Sequence, residues 1–360
     1  MRRRDFLAAL PLAACRTADL DHPNLNEAAG LIDAQVSAQK IRAATLLVRH
    51  GSRRFARHFG EAQSIDTVFL LASITKPMTA AGVMKLVEQG KLSLDDPAHR
   101  HLPEFTEGDR SKVTVRHLLT HTSGLPDQLP DTIELRRRHA PLSDFVMRTF
   151  ETPLLFEPGA RVSYQSMGIL LAAEIVERIS GMPLRQWLAQ QIFEPLGMRN
   201  TALGLGRFQI ADTARSQAEL AEAEYGGDPT AETWDWNSPY WRDLGAPWGG
   251  AHSTAPDVAS LLDDFLRPSG KALSKETASA MITNQNQGLD KPWGVGWAVN
   301  SEWFGQSCSP RTFGHSGATG TLCWCDPEKD LTFVMLTTLP GRISNDLVIR
   351  PVANLVSQIT

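Results

Sequence analysis

The sequence predicts an α+β fold, with an antiparallel sheet built from both chain ends, flanked by helices, and a mainly helical lobe inserted between the two halves. Three observations lead there. Strand-like stretches occur early in the 360-residue chain and return only near its end. The long interval between them reads as helix and loop. The length also exceeds that at which a single core stops growing, so two lobes are expected.

The elements follow in order. Residues 25–41 have helical spacing, with Ile32, Val36 and Ile41 among the apolar positions. Residues 43–48 and 54–59 read as a hairpin turning at Gly51-Ser52, and 67–71 as a third short strand. Helical spacing resumes over 73–89 through Met78, Val83, Met84 and Val87, and Gly90 stops it. Further helices are expected at 115–121, 143–151, 168–179, 184–193 and 255–266. The stretch 222–250 is loop-like and holds Trp234, Trp236, Tyr240, Trp241 and Trp248. It reads equally as the rim of a cleft or as a satellite cluster under a long loop. Strands return at 294–300, 321–325 and 331–338, and a helix closes the chain over 343–359. The domain reading is an export signal and linker over 1–24, then one catalytic unit over 25–360. Within that unit, 25–75 and 285–360 form the α/β lobe and 76–284 the helical lobe, with a cleft between them.

Composition excludes several classes. Apolar residues make up 42% and charged residues 21%, which is neither disordered nor fibrous. A net charge of −4, from 36 basic and 40 acidic residues, leaves no general footprint for nucleic acid. No run of apolar residues is long enough for a membrane span. Four cysteines, at positions 15, 308, 323 and 325, are too few for a disulfide scaffold. Cys323 and Cys325 share one face of a strand and read as packing thiols, with a bridge from Cys308 to either left open.

The first residues concern targeting. Arg3-Arg4-Asp5-Phe6-Leu7 resembles a bacterial twin-arginine export signal, and Leu12-Ala13-Ala14-Cys15 resembles a lipobox whose cysteine is lipidated. The alternative is a frayed basic terminus. The expected location is the cell envelope, with a lipid anchor at Cys15.

Three motifs carry chemistry. Ser73-Ile74-Thr75-Lys76 places an amine one helical turn from a hydroxyl. Serine is a poor nucleophile without a base, and lysine serves as one only when burial or neighbouring charge lowers its pKa. The helix start also offers N–H groups to a developing oxyanion. Tyr164-Gln165-Ser166 sits at a loop-to-helix junction, where a phenol can enter a cleft and act as a proton-transfer group. Gly314-His315-Ser316-Gly317-Ala318-Thr319-Gly320 precedes a strand; its glycines allow close backbone approach and its edge can present the Ala318 N–H. Taken singly, each motif also has a plain reading: a capped helix with a solvated lysine, a half-buried tyrosine, a Gly-rich hairpin turn.

In this order the three motifs resemble those of the serine beta-lactamase-like hydrolases, which include class C beta-lactamases, D-alanyl-D-alanine carboxypeptidases and related esterases. Val115-Arg116-His117-Leu118-Leu119-Thr120-His121-Thr122-Ser123-Gly124-Leu125, Glu194-Pro195-Leu196-Gly197-Met198 and Ser253-Thr254-Ala255-Pro256-Asp257 extend the similarity over about residues 27–340. The resemblance implies a beta-lactamase/transpeptidase-like fold and an acyl-enzyme on Ser73. It makes Lys76 and Tyr164 the proton-transfer partners and the Ser73 and Ala318 N–H groups the oxyanion hole. Ser166, His315 and Gly317 become substrate-binding positions. No cofactor or metal is implied. The expected substrate is a small molecule or a peptidoglycan fragment, the expected state a monomer.

Two departures bear on substrate. Ser166 stands where beta-lactamases usually have Asn, and His315 where they usually have Lys. Simple esters or D-amino-acid esters and peptides are therefore expected to be better substrates than beta-lactams. With a reference pKa of about 6.5, His315 is expected to bind carboxylate substrates better as pH falls.

Other classes fit less well. Gly314-His315-Ser316-Gly317-Ala318 also resembles an α/β-hydrolase nucleophile elbow, but that fold needs a histidine after the serine, and no histidine follows position 315. A metallohydrolase fails at position 118, where Leu replaces the glutamate of H-E-x-x-H between His117 and His121. His99 and His101 read as structural. A true beta-lactamase and an inactive binding protein of the same fold remain as alternatives.

Overall fold

The computed structural model describes residues 18–223, 227–300 and 302–360. The export signal and Cys15 lie outside the described residues. Among the described residues ten strands are present: β1 (Ala18–Asp19), β2 (Ala43–His50), β3 (Arg53–Gly60), β4 (Phe69–Leu70), β5 (Ala202–Leu203), β6 (Ala251–Ser253), β7 (Ala298–Val299), β8 (Phe313–Gly317), β9 (Thr321–Asp326) and β10 (Leu331–Thr337). The helices that position them are α1 (Pro23–Ser37), α2 (Thr75–Glu88), α3 (Val115–Leu119), α4 (Met167–Ser180), α5 (Pro239–Leu244), α6 (Ala255–Leu266) and α7 (Arg350–Ser357).

Seven strands form one sheet in the order β1-β3-β2-β10-β9-β8-β7. The two chain ends meet where β10 pairs antiparallel with β2, Phe333 opposite Val48 and Met335 opposite Leu46. Only the two-residue β1 runs parallel to its neighbour. Alternation sets the two faces. Leu46, Val48, Trp324, Phe333 and Met335 pack toward α1 and α7, together with Leu25, Ile32, Val352 and Val356. Leu47, Cys323, Cys325, Val334 and Leu336 pack the other way, in a core that also contains Val258, Leu262 and Phe265 of α6. Because both faces are covered, β2, β9 and β10 are buried almost throughout and largely apolar.

That alternation settles the cysteines. Cys323 and Cys325 share the α6 face, whereas Cys308 packs on the opposite core, and all three are free thiols.

The structure differs from the sequence reading at several places, four of which bear on the sheet and its ends. The strand expected at 67–71 contracts to β4 and joins a separate small sheet with β6 and β5. The strand expected at 294–300 contracts to β7, because Gly294 and Gly296 carry backbone into tight places. A Cβ on Gly294 would lie 2.1 Å from the Met281 carbonyl, and one on Gly296 would lie 2.4 Å from Ala80 of α2. Residues 313–317 are a strand rather than part of a loop, and Ala318–Gly320 makes the turn into β9. The closing helix starts at Gly341 and opens into a π turn over Asn345–Ile349 just before Pro351, whose missing N–H cannot continue the regular ladder.

Candidate active site

β4 ends in a turn that puts Ser73 in a single 3₁₀ turn, Ala72–Ile74, directly before α2. Ala72 has φ +49°, a left-handed conformation that disfavours any side chain by about 1–2 kcal/mol. Hydrogen bonds on both sides hold it there. Thr75 Oγ1 donates to the Ala72 carbonyl (2.7 Å) and accepts from the Ala251 N–H (3.0 Å). Thr319 Oγ1 donates to the Leu70 carbonyl (2.7 Å), and Thr321 Oγ1 to the Leu71 carbonyl (2.8 Å). The serine is thus fixed between the small sheet and the β8–β9 turn.

Lys76 follows one turn later and is 1% exposed. Its Nζ donates to Ser73 Oγ (2.9 Å) and to the Trp248 carbonyl (3.0 Å), and lies 4.7 Å from the centre of the Tyr164 ring. Burial pushes its pKa down to about 8, while the charge of Asp127 pulls the other way. The amine is therefore neutral in a substantial fraction of molecules near neutral to mildly alkaline pH, as a base requires.

Tyr164 is seated by His121. The ring centres are 4.6 Å apart. The His121 carbonyl accepts the Ser163 N–H (2.8 Å) and its Nδ1 accepts the Gln165 N–H (3.2 Å), so one residue grips the backbone on both sides of the tyrosine. Acceptance at Nδ1 places the ring proton at Nε2. Burial, with the Lys76 charge adding to it, holds this imidazole neutral, its pKa well below the usual value. His117 has a local task, its Nδ1 accepting the Thr114 N–H at the start of α3 (3.2 Å).

Ser166 stands at the N-cap of α4, and its Oγ donates to Asp127 Oδ1 (2.6 Å). His315 lies on β8 opposite Cys323. Its Nδ1 is 2.7 Å from the Ser316 carbonyl and donates to it, which leaves Nε2 as an acceptor. Burial first, then the neighbouring Lys76, push its pKa down to about 3. This corrects the sequence expectation. The ring stays neutral across the working pH range, so acidification gives no gain in carboxylate binding through it.

Ser73, Tyr164, Ser166, His315 and Ala318 line one cavity of about 230 Å³, with Asp127, Trp236, Trp241 and Trp248 on its walls. The tryptophan-rich stretch therefore faces the cleft, and part of it forms α5. Trp234 packs elsewhere, in the protein interior. Gly317 is not on the wall but behind it; a Cβ there would lie 2.2 Å from the Leu71 carbonyl and 2.3 Å from Thr321 Oγ1. Ser316 sits on a strand followed by a turn and another strand, not on the strand-to-helix turn of a nucleophile elbow.

Sequence reasoning missed Asp127, His121 as the seat of Tyr164, and the Trp248 carbonyl. His121 and Asp127 flank the Thr122-Ser123-Gly124-Leu125 stretch already singled out, and an acid just past a Gly-Leu-Pro turn was the available signal for Asp127.

The family model described as Beta-lactamase matches residues 28–358. A protein of Escherichia coli (strain K12) named "Putative D-alanyl-D-alanine carboxypeptidase" is 27% identical, over 88% of this chain and 82% of its own length. Among solved structures, EstCE1, a hydrolase with promiscuous acyltransferase activity, superposes with a TM-score of 0.75 at 22% identity, covering 92% of this chain and 98% of its own. The D-amino acid amidase of Ochrobactrum anthropi SV3 gives 0.73 at 22% identity, covering 94% and 100%. These two likenesses concern the fold.

Proposed function

The chain belongs to the beta-lactamase family and is a serine hydrolase, and we propose that it works through an acyl-enzyme on Ser73, cleaving esters or D-amino-acid peptide and amide bonds. The observation that carries this reading is the 2.9 Å contact between Ser73 Oγ and a buried Lys76 whose pKa is lowered to about 8.

With Lys76 neutral, Ser73 Oγ attacks the substrate carbonyl carbon and its proton passes to Nζ. The carbonyl π pair moves onto oxygen, and the N–H groups of Ser73 and Ala318 receive that oxyanion. Collapse expels the leaving alcohol or amine, which takes a proton relayed through Tyr164 and Lys76. Water then attacks the ester on Ser73 by the same relay and releases the acid. The packing of Gly317 against Leu71 supports this assignment, because it brings the end of β8 up to the turn that holds Ser73. Ser166 and His315 shape the substrate side of the cleft between the helical lobe, 76–284, and the α/β lobe, 25–75 with 285–360, whereas Gly317, expected there from the sequence, supports the wall from behind.

The substrate is a small ester or amide, or a fragment derived from peptidoglycan; relatives named as D-alanyl-D-alanine carboxypeptidases support the latter. Their names also support a cell-envelope location. Export by the Arg3-Arg4 signal, lipidation at Cys15 and action as a monomer complete the proposal.

The test is labelling with a fluorophosphonate or penicillin probe. One equivalent should attach to the wild type at Ser73, and none to Ser73→Ala, whose ester turnover should fall on the order of 10³- to 10⁶-fold. Full labelling of Ser73→Ala would overturn the mechanism.

A further inference from the structure

We propose that Asp127 is a specificity-determining residue that receives a protonated amine on the acyl side of the substrate, so that amino-acid esters and amides with a free amino group are preferred. The inference rests on the acyl-enzyme reading at Ser73.

The charge distribution in the cavity carries it. Asp127 is the only carboxylate on the described wall of the cavity that holds Ser73. It is half-buried, and one of its oxygens is fixed by the 2.6 Å hydrogen bond from Ser166 Oγ. Among the described residues it makes no salt bridge. A hydroxyl partner satisfies one lone pair of a carboxylate and neutralises none of its charge.

The cations nearby are otherwise engaged. Lys76 is turned to Ser73 and to the Trp248 carbonyl. In the form that starts the reaction, Lys76 is neutral and offers Asp127 no compensation. Arg136, on the same wall, has its guanidinium stacked 4.2 Å from the centre of the Trp241 ring. The working site therefore presents, beside the position of Ser166, a carboxylate that no ion pair holds among the described residues, in surroundings of reduced dielectric, where its charge acts strongly. It attracts an ammonium and repels a carboxylate.

The rest of the wall fits the same ligand. Trp236, Trp241, Trp248 and Leu70 are buried apolar surface, suited to an aromatic or branched side chain. Indole faces also favour a nearby cation. An amine on the carbon next to the scissile carbonyl and an apolar side chain on that same carbon would occupy the two kinds of wall together.

Asp127 could instead serve only to favour the N-terminus of α4 through Ser166. That role would move stability and overall rate, but not the choice between substrates, so the readout is a ratio. Turnover of phenylalanine methyl ester is compared with that of methyl 3-phenylpropanoate and of the N-acetylated amino ester, at about pH 7, where an α-amine is still mostly protonated and part of Lys76 is neutral. The wild type should favour the free amine in kcat/KM on the order of 10- to 100-fold. Asp127→Asn keeps an oxygen for Ser166 and should bring the ratio to near one, whatever it does to the absolute rates. Asp127→Lys should turn the preference toward monomethyl succinate. Ester turnover with no preference in the wild type, or a ratio unchanged in Asp127→Asn, overturns the assignment and leaves the acyl-enzyme standing. Absence of turnover together with absence of probe labelling at Ser73 overturns both.

Discussion

Replacing Gly317 by Ala tests whether β8 is held against the serine turn by contact alone. The added Cβ would sit 2.2 Å from the Leu71 carbonyl oxygen, 2.3 Å from Thr321 Oγ1 and 3.2 Å from the Ala72 Cβ. Non-bonded carbon contacts settle near 3.5–4.0 Å, so the strand end or the turn must retreat by roughly 1 Å. Retreat strains the 2.8 Å bond from Thr321 Oγ1 to the Leu71 carbonyl, worth about 1 kcal/mol. Overpacking adds about 1–3 kcal/mol. The expected loss of stability is therefore about 2–4 kcal/mol. The effect on rate is larger, because Ser73 and Ala318 are carried by the two segments being pushed apart. A displacement of about 1 Å at a reacting centre can cost about 10²-fold. The assay is kcat/KM for p-nitrophenyl butyrate beside thermal unfolding. Gly30→Ala serves as control, since a Cβ in the middle of α1 meets nothing within 4 Å and should raise stability by up to about 1 kcal/mol without changing rate. A Gly317→Ala protein with native Tm and rate would refute the contact argument.

Other outcomes follow from the same site. The pH profile of kcat/KM should have a rising limb with a midpoint near 8, because Lys76, buried and lowered to about 8, becomes a base only as it loses its proton; a limb near 6 would assign the titration to another group. His121→Leu removes the Nδ1 acceptor of the Gln165 N–H and places a bulky side chain at φ +61°, and should cut kcat by about 100-fold, whereas His121→Asn, which tolerates that backbone, should recover part of it. Equal losses in both variants would mean the grip on Tyr164 does not matter. Ser166→Asn should raise nitrocefin turnover relative to p-nitrophenyl butyrate by about tenfold. Adding His315→Lys brings a second cation beside Lys76, favours its neutral form and should move the rising limb to lower pH. No gain on nitrocefin in the double variant would show that these two positions do not set the substrate class.

Local spacing in the sequence determined a good deal. Residues three apart on a helix face the same way, so Ser73 and Lys76 were legible as a pair, and their contact at 2.9 Å depends on little beyond that helix. Alternation gave the inner strands and placed Cys323 with Cys325 on one face. The joining of both chain ends in one sheet could be read from where strand-like stretches lie. Tertiary structure decided the rest. Lys76 is a base only because the Trp248 carbonyl, Tyr164 and neighbouring backbone exclude water from it, and those groups lie far away in sequence. The pKa of His315 is pushed down to about 3 because the fold buries it, beside Lys76. Residues 313–317 look like a loop by composition and become a strand because β9 pairs along them, with Gly314 and Gly317 accepting backbone where a side chain would collide. Asp127 meets Ser166 across 39 positions. Spacing fixes what a few bonds of rigid geometry can carry; solvent exclusion and charge proximity are sums over every segment that packs nearby, and they exist only once the chain has folded.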